Sequence, residues 1–327
     1  MTTKRERLSA SIAGEIVDRP PVALWRHFPV DDQEPETLAE ATIAFQEDFD
    51  FDFVKVSPSS SFCLREWGAM DVWRGDPEGT RDYSRRPIEE PKDWLDLKPL
   101  RVTEGNLGKQ LACLTILQKR LGDQVPYIQT VFSPLSQAKN LAGGERLLEH
   151  LRRDPRSVEA GLKTIAATTA AFIQEAIKTG ISGIFFAVQH ASFGLLDREA
   201  FRRYGEVFDR EVLDVAQGLW LNVLHLHGSA LMFDVASTYP TSVVNWHDRE
   251  THPGLELGKR TVQGAVCGGL RRWDTMVLGS PAAVRAEARD AIRSVQGRGL
   301  ILGTGCVVPV IAPRGNIKAA REVVEVG

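Results

Sequence analysis

Two histidines and one cysteine in the C-terminal half are the residues of this sequence best suited to chemistry. His225 and His227 stand at i and i+2 where a short apolar run ends, so the alternation of a strand points both imidazoles the same way. Cys306 follows a later run through Gly303 and Gly305, and these glycines leave the loop free to turn a thiolate inward. Two neutral imidazoles and one thiolate suit Zn²⁺ in tetrahedral geometry, and three protein ligands leave a fourth position open, as in catalytic zinc sites.

The same residues also have a purely structural interpretation. A His-x-His pair at a strand end is often a hydrogen-bonded polar pair, and a cysteine after a glycine is often a small buried residue. Local chemistry therefore leaves the zinc site and the structural interpretation both open.

Eight short apolar runs predict the strands that would position these side chains. They are nearly continuous in apolar residues, as a parallel sheet buried on both faces requires. The runs are Val22–Trp25, Phe51–Val56, Tyr127–Val131, Gly183–Val188, Leu221–Leu224, Ser242–Trp246, Thr261–Gly264 and Gly299–Leu302. The histidine pair follows the fifth run and the cysteine follows the eighth.

Amphipathic helical stretches alternate with these runs, among them Thr37–Asp48, Ser157–Thr179 and Pro281–Gln296. Alternation of this kind indicates βαβ units, and eight units fit an α/β protein with a (β/α)8 TIM barrel, here as a single domain over residues 1–327. The stretch from Pro58 to about Gln124 is long for one connection, so we expect an excursion between strands 2 and 3 that caps the barrel mouth. An open doubly wound sheet is the alternative, but no Gly-x-Gly-x-x-Gly follows the first run.

Composition narrows the classes of partner and the compartment. The 327 residues are 43% hydrophobic and 25% charged, with a net charge of −3 and no long run of one sign. This balance favours neither nucleic acid nor an anionic membrane as a partner. The four cysteines are too few and too widely spaced for a disulfide scaffold, so we expect a reducing, cytoplasmic location.

Further polar and aromatic residues follow the predicted strands and are candidates for the same site. In a barrel, catalytic groups collect on the loops after the carboxyl ends of the strands. The predicted catalytic residues are Arg26, His190, Asp248 and Glu250, with His247 as a neighbouring group and Trp246 as a residue lining a cofactor pocket. Each of these also fits a structural role, such as a loop polar group, a salt bridge or aromatic core filling.

Motifs along nearly the whole chain give the sequence a family resemblance. They are Pro20-Pro-Val-Ala-Leu-Trp-Arg26, the segment Val125–Ser136 followed by Ala142-Gly-Gly144, Val243-Val-Asn-Trp246, Val262-Gln-Gly264, Leu302-Gly-Thr-Gly305 and Pro313-Arg-Gly-Asn316. In this order and spacing the sequence resembles the uroporphyrinogen decarboxylase superfamily. The resemblance implies a (β/α)8 barrel.

The decarboxylase branch of that superfamily is the poorer match. Its members carry a second arginine, an aspartate, a tyrosine and a histidine at the substrate site. The corresponding positions here are Val30, Val56 or a neighbour, about Asn140, and Thr304. A decarboxylase related to uroporphyrinogen decarboxylase, in porphyrin or heme synthesis, therefore stays only as the alternative activity.

The other branch contains cobalamin-dependent methyltransferases such as the methylcobamide:coenzyme M enzymes, whose zinc set is His-x-Cys-Gly and a later Gly-Cys. Here His227 stands in place of the first cysteine, whereas Cys306 keeps the second. The resemblance implies a zinc-dependent methyltransferase that uses a corrinoid (methylcobalamin) carrier, with zinc held by His225, His227 and Cys306. It also implies a corrinoid protein or free cobalamin as partner, a small thiol or other nucleophile as methyl acceptor or donor, and a homodimer. A non-enzymatic corrinoid- or partner-binding module is a third interpretation.

Overall fold

The computed structural model describes residues 2–325 and contains nine strands. Their bounds are β1 Val54–Val56, β2 Met70–Val72, β3 Asp82–Arg85, β4 Tyr127–Phe132, β5 Gly183–Val188, β6 Val223–Leu226, β7 Val243–Trp246, β8 Ala265–Leu270 and β9 Leu300–Thr304. Seven of them form one parallel sheet in the order β1, β4, β5, β6, β7, β8, β9, while β2 and β3 form a separate antiparallel hairpin.

The segment around Val22 closes this sheet into a barrel. Leu302 of β9 donates to the Pro21 carbonyl and accepts from the Ala23 amide, at 2.8 and 3.0 Å. On the other side, the amide of Asp52, just before β1, donates to the Val22 carbonyl at 2.8 Å. The first apolar run thus supplies the eighth position of the barrel, and the predicted (β/α)8 fold is confirmed.

Helices cover the outside of the barrel. They are α1 Lys4–Ile12, α2 Pro35–Phe49, α3 Gly105–Leu121, α4 Pro134–Ala142, α5 Gly144–Arg153, α6 Pro155–Lys178, α7 Arg198–Phe201, α8 Val207–Ala216, α9 Val235–Thr238, α10 Leu255–Thr261, α11 Pro281–Ser294 and α12 Arg314–Glu322. A π-helical turn, Arg202–Glu206, joins α7 to α8, and short 3₁₀ turns lie at Asp31–Gln33, Arg65–Trp67 and Pro91–Asp96. The sequence explains where α11 begins. The Ser280 side chain accepts a hydrogen bond from the Ala283 amide, and Pro281 occupies the first helical position.

One predicted strand is misplaced. Thr261–Gly264 was expected to be the seventh strand, but Thr261 is the last residue of α10 and the strand is β8, Ala265–Leu270. Gly268 and Gly269 hide this strand from a search for apolar runs. Gly268 is required because a Cβ there would lie 2.3 Å from an oxygen of the Asp248 carboxylate, and Gly269 because its φ is 108°.

Successive side chains of each strand point alternately into the barrel and towards the helices, so the protein has an inner and an outer hydrophobic core. Side chains such as Trp25, Phe53, Phe185 and Val223 fill the barrel interior, whereas their neighbours in sequence pack against the helices. Leu8 of α1 also belongs to the inner core. The polar residues that continue the inward-facing series beyond this core therefore meet at the carboxyl ends of the strands.

The expected excursion between the second and third barrel strands carries the β2–β3 hairpin, and it also contains α3, which the sequence reading did not predict. Residues 73–81, here called the strap, join the two hairpin strands and contact the loops at the mouth. Glu78 of the strap accepts from Arg272 at 3.1 Å and from the Trp273 indole at 2.9 Å, and the Val310 amide donates to the Pro77 carbonyl at 2.7 Å.

Within the described residues, no helix combines the length and the apolar character needed to cross a membrane.

Candidate metal centre

The end of β6 presents two imidazoles to the barrel interior. His225 is the third residue of the strand and follows the inward-facing Val223, so its ring points inward and stacks on Phe185 with 5.1 Å between centroids. His227 continues the alternation beyond the strand, because its amide still donates to the Val188 carbonyl of β5 at 3.0 Å. Gly228 follows with φ of 98°, a backbone conformation that favours glycine and turns the chain away from the site.

Four side chains, rather than the predicted three, converge at this point. His225, His227, His247 and Cys306 each place one potential ligand atom so that all four atoms lie within 4.8 Å of one another. His247 comes directly after β7 and Cys306 two residues after β9, so the loops of three strands contribute. The Cys306 Sγ lies 4.0 Å from His227 Nδ1.

An asparagine fixes the orientation of the most buried imidazole. Asn245 of β7 is paired in register with His225, and its Oδ1 lies 2.7 Å from His225 Nδ1. Its amide nitrogen donates to the carbonyls of Cys267 and Thr304, at 2.8 and 3.0 Å, so Oδ1 is the atom that faces the imidazole. His225 Nδ1 therefore carries the proton of the neutral ring, and Nε2 keeps its lone pair for a ligand.

The pKa shifts of Cys306 and His225 favour metal binding. Burial acts to raise the pKa of the Cys306 thiol, but the three surrounding imidazoles outweigh burial and hold that pKa well below its ordinary value. Burial lowers the pKa of His225, which keeps this imidazole neutral. Neutral imidazoles and a thiolate are the forms in which these side chains bind metal ions.

Two further observations indicate that these donors suit Zn²⁺. His247 Nε2 is buried and has no hydrogen-bond partner among the described residues, which is costly for a polar atom unless a ligand meets it. The other nitrogen of the same ring, Nδ1, is 3.1 Å from Glu250 Oε2, the carboxylate–imidazole contact that orients metal-binding histidines. Histidine nitrogens and a cysteine sulfur are the donor types found in tetrahedral zinc sites.

Of the predicted catalytic residues, the structure brings only Glu250 to the cluster, through His247. The Arg26 guanidinium lies against the rings of Phe28 and Phe45 in the outer layer, 5.2 and 5.1 Å from their centroids. His190 is buried after β5 and is not one of the four clustered residues. Burial, followed by the charge of Lys139, lowers the pKa of His190 to about 3.

Asp248 and Trp246 make contacts away from the four-residue cluster. Both Asp248 carboxylate oxygens accept from the Gly269 amide of β8, and burial raises the pKa of this carboxyl to about 7. Trp246 is fully buried in the outer core, where its indole donates to the Pro253 carbonyl at 2.7 Å and its ring packs against Phe233. The contacts of both residues hold the loop that follows β7 in place.

Sequence reasoning underestimated His247 and missed Asn245 and Lys55. The sequence analysis placed His247 beside the proposed ligands and not among them, although it follows β7 directly, just as His227 follows β6. Asn245 carries a weak signal, since a buried strand with one amide in it implies a specific hydrogen-bond partner. Lys55, a buried lysine in β1, carries the same kind of signal.

Comparison with known proteins shows one family over almost the whole chain. The family described as Uroporphyrinogen decarboxylase (URO-D) matches residues 3–326. Two similar relatives are both named methylcobamide:CoM methyltransferase MtbA. One, from Methanosarcina acetivorans, is 24% identical over 98% of this chain and 97% of its own length; the other, from Methanosarcina mazei, is 22% identical over the same shares.

Solved structures agree with the barrel. A methyltransferase from Methanosarcina mazei superposes with a TM-score of 0.86 at 18% identity, covering 98% of this chain and 99% of that one. A B12-independent methionine synthase from Shewanella sp. W3-18-1, in complex with selenomethionine, gives a TM-score of 0.58 at 14% identity over 98% and 97% of the two chains. At these identities the likeness establishes the fold.

Proposed function

The chain belongs to the uroporphyrinogen decarboxylase family, and within that family we propose that it is a zinc-dependent methyltransferase acting between a corrinoid carrier and a small nucleophile. The observation that carries this proposal is the convergence of three imidazoles and a thiolate within 4.8 Å at the barrel mouth. The relatives named methylcobamide:CoM methyltransferase, which align over the full length of this chain, support a corrinoid as the methyl carrier.

His225, His227 and Cys306 would hold the metal ion, with His247 as a fourth protein donor. Bound zinc supplies Lewis acidity, which lowers the pKa of a coordinated thiol or similar group so that it becomes a nucleophile at neutral pH. Four protein donors do not exclude a substrate, because zinc expands to five ligands in catalytic sites. The remaining residues orient these donors: Asn245 fixes His225, and Glu250 fixes His247.

Decarboxylation is less well supported by the same residues. Arg26, one of the predicted catalytic residues, packs against aromatic rings in the outer layer and is not part of the clustered site. Position 30, where the decarboxylase branch carries its second arginine, is an exposed valine. The donor cluster, in contrast, has no role in a metal-free decarboxylation.

Metal analysis together with an activity assay tests the proposal. Protein purified without chelators should contain about one zinc ion per chain, and Cys306→Ala should lose most of it. Cys113→Ala is the matched control, because Cys113 is fully buried in α3 and burial raises its pKa to about 12. Methylcobalamin should be demethylated in the presence of small thiols by the wild type and by the control, and not by Cys306→Ala.

Zinc-free protein that still demethylates methylcobalamin would contradict the role of the metal. Zinc-loaded protein that transfers no methyl group to or from a corrinoid, with thiols or with other nucleophiles, would contradict the reaction itself. The two results are independent, so the metal site and the activity are tested separately.

A further inference from the structure

The strap, residues 73–81, lies directly against one side of the barrel mouth. Its backbone packs so closely there that a Cβ on Gly79 would lie 2.6 Å from His27 Cβ and 3.1 Å from Val310 Cγ1. Residues 74–76 and Thr80 are exposed, so the strap has little buried surface of its own. A segment with few buried contacts opens at a low free-energy cost, and the contacts that it does make therefore decide how long it stays closed.

One strap side chain reaches the loop that follows β8. Glu78 Oε1 accepts from Arg272 Nη1 at 3.1 Å and from the Trp273 indole at 2.9 Å. Arg272 is only 7% exposed and forms an ion pair with Glu78. The strap is thus fastened to a buried guanidinium group.

Another nitrogen of the same guanidinium faces Glu250. Arg272 Nε lies 3.9 Å from Glu250 Oε1, which is within the range of an ion pair but too far for a hydrogen bond. This Nε is buried and has no hydrogen-bond partner among the described residues. The second oxygen of Glu250, Oε2, lies 3.1 Å from His247 Nδ1, so one carboxylate stands between Arg272 and a member of the donor cluster.

A continuous chain of contacts therefore runs from the strap to the donor cluster, in the order Glu78, Arg272, Glu250, His247. Its loose link is the one between Arg272 and Glu250, whose side chain is 39% exposed and has room to move. A metal ion on His247 Nε2 withdraws electrons from the imidazole, which makes Nδ1–H a stronger donor to Glu250. A carboxylate fixed in this way can present its other oxygen to the unpartnered Nε of Arg272.

We propose that Arg272 is a positioning residue that couples the strap to the metal centre, so that a metal ion bound through His247 holds the strap closed. The inference rests on the metal site of the proposed function and adds its regulation. Coupling between two sites is reciprocal: a metal ion that stabilises the closed strap binds more tightly, by the same factor, when the strap is closed. The strap therefore closes over a loaded centre and opens more readily over an empty one.

A purely structural role for Arg272 predicts a different behaviour. Arg272 would then anchor the strap through Glu78 alone, and the strength of this anchor would not depend on a metal ion at His247. Replacement of Arg272 would loosen the strap equally in metal-free and metal-loaded protein. The dependence of strap opening on the metal is therefore the quantity to measure.

Hydrogen exchange of the strap measures this dependence directly. Peptides that cover residues 73–81 are followed by mass spectrometry on zinc-free and zinc-loaded protein, without corrinoid or thiol, and helix α6 serves as the internal reference. Zinc should slow strap exchange in the wild type at least about fivefold, the lower end of the range for coupled sites. Arg272→Met should remove this effect of zinc, and Arg272→Lys, which keeps the charge, should retain part of it.

Arg271→Met is the matched control. Arg271 precedes Arg272 in the same loop, but its guanidinium is paired with Glu287 of α11. This variant should keep the full effect of zinc on the strap. Circular dichroism and melting curves establish that each variant folds.

A second measurement starts from the strap end of the chain of contacts. Glu78→Gln keeps the shape of the side chain and an acceptor for the Trp273 indole, but it removes the charge that pairs with Arg272. Because the coupling is reciprocal, Glu78→Gln should raise the zinc Kd by up to the factor by which zinc slows strap exchange in the wild type. Competition with a chromophoric chelator gives this Kd. The Glu78 side chain is partly exposed, so this variant provides the comparison if Arg272→Met does not fold.

Equal strap exchange in zinc-free and zinc-loaded wild type would overturn the proposal. A zinc effect that survives in Arg272→Met, or a zinc Kd unaffected by Glu78→Gln, would do the same. Neither measurement involves methyl transfer, so the result is separable from that of the activity assay. Zinc binding with an unresponsive strap would refute only the coupling, whereas a responsive strap without methyl transfer to or from a corrinoid would refute only the reaction. A chain that binds no zinc would refute the metal site and the coupling together.

Discussion

Asn245 orients His225, one of the proposed zinc ligands, without being a ligand itself, and its replacement is the sharpest test of how the site is built. Asn245→Ala removes the acceptor that lies 2.7 Å from His225 Nδ1, so that the imidazole can rotate or change tautomer. Loss of such a partner of a metal-binding histidine typically weakens metal affinity by roughly 10- to 100-fold. We expect a zinc Kd increased by that factor, which corresponds to about 1.4–2.8 kcal/mol.

The same change also has a cost in stability that the structure allows to be estimated. Asn245 is completely buried, and its amide donates to the Cys267 and Thr304 carbonyls. Removing the side chain leaves these two acceptors and one imidazole nitrogen with fewer partners. Each unsatisfied buried group costs about 1–3 kcal/mol, and water entering the space left offsets part of it. We expect the free energy of unfolding of the zinc-free protein to fall by about 2–4 kcal/mol.

Asn245→Asp separates the two effects. An aspartate keeps an acceptor for His225 Nδ1 but has no amide to donate to the two carbonyls, so it should lower stability while keeping most of the zinc affinity. Zinc Kd values come from competition with a chromophoric chelator, and stabilities from urea unfolding. A zinc Kd that is unchanged in Asn245→Ala would refute the argument that this residue fixes the metal-facing nitrogen of His225.

Three further predictions concern other parts of the chain. Burial raises the pKa of Asp209 from 3.8 to about 8, so the folded protein holds a proton that the unfolded chain releases, and stability is lost as the pH rises through this range. Asp209→Asn should retain the contact with the Tyr239 hydroxyl and flatten the fall of Tm between pH 5 and pH 8; an unchanged slope would contradict this. Gly305→Ala would place a Cβ 2.6 Å from the carbonyl oxygen before His247, so it should destabilise the protein by about 1–3 kcal/mol and weaken zinc binding, whereas Gly218→Ala, which meets nothing within 4 Å, should do neither. Glu78→Ala should speed hydrogen exchange in the strap while exchange in the barrel strands stays slow; equal exchange in wild type and variant would show that this contact does not hold the strap.

The barrel was predictable because its signals are local and repeated. Each apolar run between helical stretches is evidence in itself, and one misplaced strand, Thr261–Gly264, did not disturb the count. The closure by Val22 could be anticipated only from the total of eight, since the contact with Leu302 joins residues 280 positions apart in the sequence. The length of the segment from Pro58 to about Gln124 predicts the excursion, but the sequence analysis did not identify helix α3 within that segment.

The candidate site was predictable where alternation along one strand decides the geometry. His225 and His227 are related by strand periodicity, so their common direction follows from the sequence. His247 continues the inward-facing series of Val243 and Asn245 in β7, so the same periodicity favours His247 over the adjacent Asp248 for the position that faces the cluster. The structure gives this position to His247, while Asp248 turns to the Gly269 amide. The assignment of catalytic roles to Arg26 and His190 stays a prediction.

The presence of His227, where the resemblance predicts a cysteine, would change the net charge of a zinc-loaded site. The thiol-methylating relatives that the sequence resembles would surround zinc with two thiolates, which cancel the charge of the ion. Three neutral imidazoles and one thiolate would leave the proposed zinc site with one positive charge instead. A positive charge in a buried space favours an anionic ligand, because the low dielectric of the interior strengthens the attraction. The same charge would make a bound zinc ion a stronger electrophile, which suits nucleophiles that a site with two thiolates would activate poorly.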